Sequence, residues 1–248
     1  MNSMLEISFA VVGLIIGSFT NVLIHRLPQG ESVVWPGSHC PSCKHKLRTM
    51  DLVPVLSFLF LKGRCRYCRA PISRQYPLVE ILSAAGYWLV YRYYGLSIES
   101  LAGCVLVTIL LCAAFTDLQT GLIPDRLTYP GILAGLALAW FTIGLQSALL
   151  GSLGFAVLFF VIAVASRGGM GGGDIKLAGV IGAFIGWQGA LVTFVLASLL
   201  GGLAAGYLLA RGQADRKSAI RFGPYLALGA FITLIWGKQI VAFYLSTL

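Results

Sequence analysis

Residues 168–177 read GGMGGGDIKL, and the run that follows, 177–210, is almost entirely apolar. An aspartate and a lysine stand where this apolar run begins, with a cluster of glycines before them. An ionisable side chain at the edge of a membrane segment is costly and is by default a candidate for function. The stretch therefore predicts a membrane helix that begins at a chemically active residue.

The composition is that of an integral membrane protein. The 248 residues are 58% hydrophobic and 11% charged, with a mean hydropathy of +0.85, whereas soluble domains are about 25% charged. Apolar runs long enough to cross about 30 Å of hydrocarbon lie near residues 5–24, 77–94, 100–116, 127–145, 148–166, 177–210 and 222–245. Because these runs are rich in Leu, Ala and Gly, they predict an all-α polytopic membrane protein.

The run at 177–210 would make about 51 Å of helix, which is too long for one span and short for two. Its interruption GWQG at 186–189 predicts a turn between two short helices, and hence about eight spans. With eight spans and an outer N-terminus, all Lys and Arg residues except Arg92 and Lys238 fall in inner loops, as the positive-inside rule requires. Seven spans would move the basic segment 211–221 outside.

The chain divides at its one sizeable polar segment. Residues 1–25 form a first span without the basic start or cleavage site of a signal peptide, so we expect an uncleaved anchor. Residues 26–75 form a small cytosolic loop domain, and residues 76–248 form the main membrane domain. The net charge of +9 follows from this topology, so nucleic-acid binding is not expected.

The loop domain contains the motifs CPSC and CRYC. Cys40 and Cys43 are separated by 21 residues from Cys65 and Cys68, close to the spacing of four-cysteine zinc sites. Two hairpin-like turns would each present two thiolates to one tetrahedral ion. Because a complete four-cysteine shell leaves no position for water, the expected metal stabilises the loop domain and does not catalyse.

Two other interpretations of these cysteines stay open, namely a redox C-x-x-C pair and disulfides. A cytosolic location and the doubled motif favour metal over both. His39 and His45 flank the motif but are not needed to complete the shell. Cys104 and Cys112 lie in the third span and are predicted to be buried apolar residues.

The acidic residues are few enough to weigh singly. Solvation is a sufficient explanation for those in loops or at span ends, which are Glu6, Glu31, Asp51, Glu99 and Asp215. Asp117 ends the third span and Asp174 begins the sixth, so both fall at the inner edge of the membrane. Two carboxylates within hydrogen-bond reach share a proton, so one can deprotonate water while the other protonates a carbonyl oxygen. This pair is a candidate protease dyad, and a solvated loop acid is the alternative for Asp117.

Two further acids are auxiliary candidates. Asp125 competes with Asp117 for the first role, although capping the N-terminus of the fourth span would explain it, whereas Asp117 meets the unfavourable end of its own helix dipole. Glu80, near the start of the second span, could receive a substrate ammonium group. Its alternative is an ion pair with Arg74, at a spacing that does not suit one helix face.

Three residues around Asp174 complete the candidates. Gly171 and Gly173 lack a Cβ, which would let the backbone approach a neighbouring helix or an extended substrate closely. Lys176 would either stabilise an ionised carboxylate or extend towards the lipid headgroups, and we favour the second.

These motifs, in this order, resemble the bacterial type IV prepilin leader peptidases, which are bifunctional peptidase and N-methyltransferase enzymes serving type IV pili, type II secretion and competence. The resemblance covers nearly the whole chain. Its stretches are GSFTNVLIHRLP at 17–28, the doubled C-x2-C loop, SRQYPLVEIL at 73–82, DLQTGLIPD at 117–125 and GGGDIKLAG at 171–179, which carries a G-x-G-D motif.

The resemblance implies cleavage of a short basic leader after a glycine at the cytosolic face, followed by methylation of the new N-terminus by S-adenosylmethionine. It assigns catalysis to Asp117 and Asp174 and zinc binding to the four loop cysteines. No soluble nucleotide-binding pattern occurs, so the residues that bind S-adenosylmethionine are unknown and methylation rests on the resemblance alone. Because the cysteine loop is complete, we expect methylation, with a peptidase-only enzyme as the alternative.

The resemblance also implies prepilin or pseudopilin substrates and a place in the bacterial cytoplasmic membrane. Two rival functions are weaker. A proton-coupled transporter predicts acids near the bilayer centre and internal pseudosymmetry, and the sequence has neither. A zinc-module binding protein anchored in the membrane would not need eight spans with paired acids.

Overall fold

The structure is a computed structural model that describes residues 3–166, 169–212 and 221–246. Eight α-helices lie within these ranges, together with one short 3-10 turn. Their bounds are α1 Ser3–Arg26, α2 Leu56–Phe60, α3 Gln75–Tyr94, α4 Ile98–Thr120, α5 Asp125–Ala139, α6 Leu145–Ala165, α7 Gly172–Ala210 and α8 Gly223–Ser246. The described residues include two isolated β-bridges but no strand, so the expected all-α class is confirmed.

Among the described residues, five helices are long and apolar enough to cross a bilayer, namely α1, α4, α6, α7 and α8. The chain is therefore a multi-pass membrane protein, and the number of eight spans stays a prediction. The α5 helix ends at Ala139, although the apolar run continues to residue 145, because the chain turns there and Gly144 adopts a φ of 83°.

Helix α7 consists of two helices joined at Gly186, whose φ of 71° and ψ of 180° are not helical. Gly151 of α6 abuts Gly182 before the break, and Phe159, two turns later in α6, meets Phe194 after it. A straight α7 would place these two phenylalanines about 30 Å apart at 1.5 Å per residue. Their ring centroids are 6.0 Å apart, so the chain reverses direction at Gly186, at the turn expected from GWQG.

The described residues divide into two compact units, of which the first ends at Ser100 and the second begins at Leu101. In the second unit, small residues bring the helices together, as is typical of membrane proteins. A Cβ on Gly182 would lie 2.1 Å from the Gly151 carbonyl oxygen of α6. In the part of α7 that follows Gly186, the Thr193 hydroxyl donates to the Thr233 hydroxyl of α8 over 3.1 Å.

In the first unit, α1 and α3 pack against each other in the same way. Gly13 and Gly17 form a G-x-x-x-G pattern on α1, and a Cβ on either would lie 2.7 Å from the backbone of α3. The Phe9 and Tyr91 rings, near the opposite end of the pair, have centroids 4.6 Å apart. The two helices therefore run antiparallel and carry the cysteine loop between them.

Candidate functional site

Asp117 lies in the last turn of α4 and is 7% exposed. Its Oδ2 atom accepts a hydrogen bond of 3.1 Å from the backbone N–H of Gly223, the first residue of α8. The N-terminus of a helix carries partial positive charge and favours anions. The start of α8 therefore offsets the unfavourable position of Asp117 at the C-terminus of its own helix.

Asp174 lies in the first turn of α7 and is 8% exposed. Its backbone N–H donates to the Gly171 carbonyl oxygen, which begins the helix. Its Oδ1 atom is buried and has no hydrogen-bond partner among the residues that the structure describes. A buried carboxyl oxygen without a hydrogen-bond partner lowers the stability of the folded state. Such unpaired groups are typical of sites that bind a substrate or a water molecule.

The two aspartates line one cavity of about 280 Å³. This volume accommodates water and a short stretch of extended peptide. The other lining residues come from the start of α7 and from the connection between α4 and α5; they are Gly121, Leu122, Ile123, Asp125, Gly171, Gly172, Gly173 and Lys176. The structure thus brings together six of the seven candidates that the sequence placed outside the loop domain. Glu80 belongs to the first unit.

Two contacts fix the connection between α4 and α5 against the start of α7. A Cβ on Gly173 would lie 3.0 Å from the Ile123 Cβ, so this glycine is needed for the close approach. The Lys176 Nζ lies 2.5 Å from Asp125 Oδ1 and 5.5 Å from the centre of the Tyr129 ring. These contacts stabilise the wall of the cavity that the two aspartates share.

The details differ from the expectations in three respects. Asp125 does not cap α5, because Pro124 occupies the cap position and no side-chain cap bond forms. Lys176 pairs with Asp125 and does not extend alone towards the headgroups. Gly171 has room for a Cβ, whose nearest neighbour would be Asp174 Oδ2 at 3.6 Å, so close packing does not explain this glycine.

The four loop cysteines form a compact cluster, in which all four sulfur atoms lie within 4.8 Å of one another. The cysteines occupy two turns of the same design. In each turn the backbone N–H of the first cysteine donates to the carbonyl oxygen of the residue five positions later. The carbonyl oxygen of that first cysteine accepts a hydrogen bond from the backbone N–H of the residue that follows the second cysteine. That last residue is Lys44 in one turn and Arg69 in the other, with φ values of 58° and 60°.

This donor set fits one tetrahedral metal ion. Four thiolates at about 2.3 Å from an ion lie about 3.8 Å from one another, and the Cys40 and Cys68 sulfurs are 3.8 Å apart. The backbone N–H of Cys43 lowers the pKa of the Cys40 thiol to about 6, which favours the thiolate that a metal binds. All four thiols are free, as are the buried Cys104 and Cys112, so the cluster could hold a metal ion.

Asp51 supports the second cysteine turn, although the sequence suggested only a solvated acid. Its side chain is 3% exposed and accepts hydrogen bonds from Arg66 and Tyr67, the two residues between Cys65 and Cys68. Burial raises the pKa of Asp51, but the Arg48 N–H, the Arg66 guanidinium and the Tyr67 hydroxyl together hold it below its usual value. The ionised carboxylate therefore stabilises the turn.

Glu80 is buried in α3 and accepts a hydrogen bond of 2.7 Å from the backbone N–H of Val55. The ion pair with Arg74 that was the alternative for this residue does not form. Val55 has a φ of 59°, which is a strained conformation for a β-branched residue. Glu80 thus connects α3 to the start of α2 in the loop domain.

Gly223 is a site residue that the sequence did not reveal. It is separated from Asp117 by 106 residues, and a Cβ there would lie 2.8 Å from Asp117 Oδ2. Only the position of this glycine just before a proline, at the start of an apolar run, marked it as a helix start.

Comparison with known proteins gives matches along nearly the whole chain. The profile described as the bacterial peptidase A24 N-terminal domain matches residues 11–94, and that of the type IV leader peptidase family matches residues 104–206. No solved structure matches.

Curated relatives are named prepilin leader peptidase/N-methyltransferase. The protein from Aeromonas salmonicida is 37% identical over 95% of this chain and 92% of its own length. The one from Burkholderia pseudomallei is 37% identical over 97% and 88%, and the one from Pseudomonas aeruginosa is 34% identical over 95% and 92%.

Proposed function

The chain belongs to the type IV leader peptidase family, and we propose that it cleaves the leader from type IV prepilin-like proteins and methylates the new N-terminus. The observation that carries the peptidase half is the shared cavity of Asp117 and Asp174. The methyltransferase half rests on similarity to relatives that carry both activities in their names, over about 95% of this chain.

The two carboxyl groups would work as a pair that shares one proton. The ionised member removes a proton from water, and the resulting hydroxide attacks the scissile carbonyl carbon. The protonated member donates to the carbonyl oxygen, which gives a gem-diol. As the C–N bond breaks, the first carboxyl group gives the proton it took from water to the leaving amide nitrogen, and the second carboxylate regains a proton from the gem-diol. The Gly223 N–H holds Asp117 Oδ2 in place, while Asp174 Oδ1 is left for the substrate or the water.

The substrate must be extended at the bond that is cut, because a helical peptide bond hides its carbonyl from attack. A glycine at that position allows the chain to unwind. The apolar stem would lie laterally among the spans, with the basic leader on the cytosolic side. The cavity wall at 171–173 has no side chains, which leaves space for an extended backbone.

We infer that the cysteine cluster holds Zn²⁺ through Cys40, Cys43, Cys65 and Cys68. The ion would supply a structural cross-link between the two turns. S-adenosylmethionine would supply the methyl group when bound, and no residue of this chain is assigned to hold it. The cysteine loop is expected in the cytosol, because residues 26–74 are rich in Lys and Arg, as the positive-inside rule requires.

The proposal is tested by assaying the full-length enzyme in vesicles on a short-leader prepilin. Asp117→Asn and Asp174→Asn keep the side-chain shape but remove the shared proton, so each is expected to lower kcat/KM for cleavage by about a thousandfold or more. Asp125→Asn is the matched control at the same cavity and is expected to lose far less. Inserted, folded Asp117→Asn and Asp174→Asn variants that still cleave would refute the dyad.

A further inference from the structure

The cysteine loop contains an apolar segment that neither metal binding nor cleavage explains. Residues 52–61 read LVPVLSFLFL and lie between Asp51 and Lys62 without a charge. Apolar runs of about 10 to 14 residues are too short to span a bilayer and are typical of buried core helices or of interfacial and re-entrant segments. Here Phe60 is 83% exposed and Leu59 is 62% exposed, so the segment is not a buried core helix.

The start of this segment lies beside a helix that is long and apolar enough to cross the membrane. Val55 donates its N–H to Glu80, and Glu80 faces Gly17 of α1, since a Cβ on Gly17 would lie 2.7 Å from the Glu80 Cα. Gly17 precedes Arg26, the last residue of α1, by about 13 Å of helix. Val55, the residue before α2, therefore lies at the level of the apolar part of α1 and not beyond its polar end.

The neighbouring surface of α3 is apolar and exposed at the same level. Leu78, Ile81 and Leu82 surround Glu80 in sequence, and each is exposed. Because α3 packs closely along α1, which is long and apolar enough to cross the membrane, these exposed side chains lie at the level of the acyl chains. The exposed side chains of α2 thus continue a lipid-facing surface, which indicates lipid as their common environment.

The charges that follow the segment match an anionic membrane surface. Lys62, Arg64, Arg66 and Arg69 are all exposed, and clusters of basic residues beside a membrane segment attract anionic headgroups. The same charges would repel the basic leader of the proposed substrate. The charge pattern therefore favours phospholipid over prepilin as the occupant of this surface.

We propose that residues 52–61 are an interfacial anchor, which inserts the exposed face of α2 into a bilayer that contains anionic phospholipid. The polar groups at the ends of the anchor stay at the headgroups. The left-handed conformation of Val55, held by Glu80, turns the chain into α2 at this depth. The cysteine cluster is thereby held at the membrane surface and is not a free cytosolic module.

The experiment places the photo-reactive residue benzoylphenylalanine at position 60, or separately at position 59, in the full-length enzyme. Lys46 is the matched control, because it is exposed in the same loop, lies outside the two cysteine turns and follows the polar residues Lys44 and His45. Each variant is reconstituted in vesicles of phosphatidylethanolamine and phosphatidylglycerol together with prepilin, and is irradiated. Peptides that carry adducts are identified by mass spectrometry, and an unchanged Tm shows that each variant is folded.

Phospholipid adducts from positions 59 and 60 are expected to exceed those from position 46 by about tenfold, because only the anchor reaches the acyl chains. Equal lipid adducts at all three positions would overturn the proposal. Adducts mainly to prepilin would assign the surface to substrate, and adducts mainly to a second copy of the chain would assign it to self-association; either would also overturn it.

Discussion

The two compact units of this chain hold their candidate sites in different ways. In the second unit, Asp117 and Asp174 stand at the ends of two long helices, and glycine contacts such as Gly151 with Gly182 fix how closely those helices approach. In the first unit, the cysteines stand in two short turns with little apolar packing of their own. Helix packing positions the acids, whereas backbone hydrogen bonds within the two turns, together with the proposed ion, position the thiols.

Because of this difference, the two sites should resist different perturbations. A site built from packed helices depends on the shape of the backbone interfaces and is indifferent to metal. A site built from turns depends on its ion, because metal binding supplies free energy that a small loop domain cannot obtain from a core. Changes that act on one site should therefore leave the other site nearly unchanged.

Cys65→Ser is expected to have the largest effect, because it should remove metal binding while leader cleavage is retained. Removal of one of four thiolates should lower the metal content of the purified enzyme from about one zinc per chain to background. Methylation of a pilin that has already been cleaved should fall with the metal, while leader cleavage should stay within about twofold. Elemental analysis and the two assays measure this. Cys104→Ser, which removes a thiol outside the cluster, is the control and should keep its metal.

A Cys65→Ser enzyme with full metal content would contradict the four-cysteine site. A loss of cleavage as large as the loss of methylation would show that the two units do not act independently.

The opposite result is expected from Gly223→Ala, which should lower leader cleavage and leave metal binding unchanged. The added Cβ would lie 2.8 Å from Asp117 Oδ2, so the carboxylate must move and its bond to the Gly223 N–H must lengthen. Loss of one such donor at a reacting group costs on the order of 10²-fold in rate. We expect kcat/KM for cleavage to fall by about that factor while the metal content does not change. Gly206→Ala, where a Cβ meets nothing within 4 Å, is the control.

The third prediction concerns the packing that positions the acids. Gly182→Ala should destabilise the second unit by about 1–3 kcal/mol, because its Cβ would lie 2.1 Å from the Gly151 carbonyl oxygen. Thermal unfolding in detergent should show a lower Tm than for Gly154→Ala, which introduces a Cβ into open space. An unchanged Tm for Gly182→Ala would show that the contact between α6 and α7 does not hold this unit together.

The smallest effect is expected at the ion pair of Lys176 and Asp125. These side chains are 33% and 54% exposed, and exposed pairs contribute about 0.2–1 kcal/mol. Lys176→Met should therefore slow cleavage by only about twofold to fivefold. A double-mutant cycle with Asp125→Asn measures the coupling. A coupling energy of several kcal/mol would mean that Lys176 acts on the reaction itself.

Much of this architecture could be predicted because membrane helices are long apolar runs. The helix starts and ends that carry Asp117 and Asp174 are visible in the sequence, and so is the interruption at Gly186. The cysteine spacing predicted the cluster for the same reason, since both halves of the site are short local motifs. Local patterns are what a single sequence displays.

The rest depends on contacts between distant residues. The Gly223 N–H donates to Asp117, which is 106 residues away in sequence, and no local motif near either residue predicts this contact. Asp51 and Glu80 looked like a solvated acid and a possible ion-pair partner, because their true partners, Tyr67 and the Val55 N–H, become neighbours only in the folded loop. The role of segment 52–61 was not predicted, because ten residues are too short for a span and the exposure of Leu59 and Phe60 is visible only in the folded loop.

The reversal at Gly186 has a consequence for the surrounding lipid. The first half of α7, residues 172–185, is about 21 Å long, and its neighbour α5 is about 22 Å long, whereas the hydrocarbon layer is about 30 Å thick. If these two short helices each cross the bilayer, as eight spans require, they create a hydrophobic mismatch, which a bilayer relieves by becoming thinner around them. The aspartate cavity opens beside these helices, so a thin patch of membrane would shorten the path by which an unwound substrate bond leaves the lipid for water.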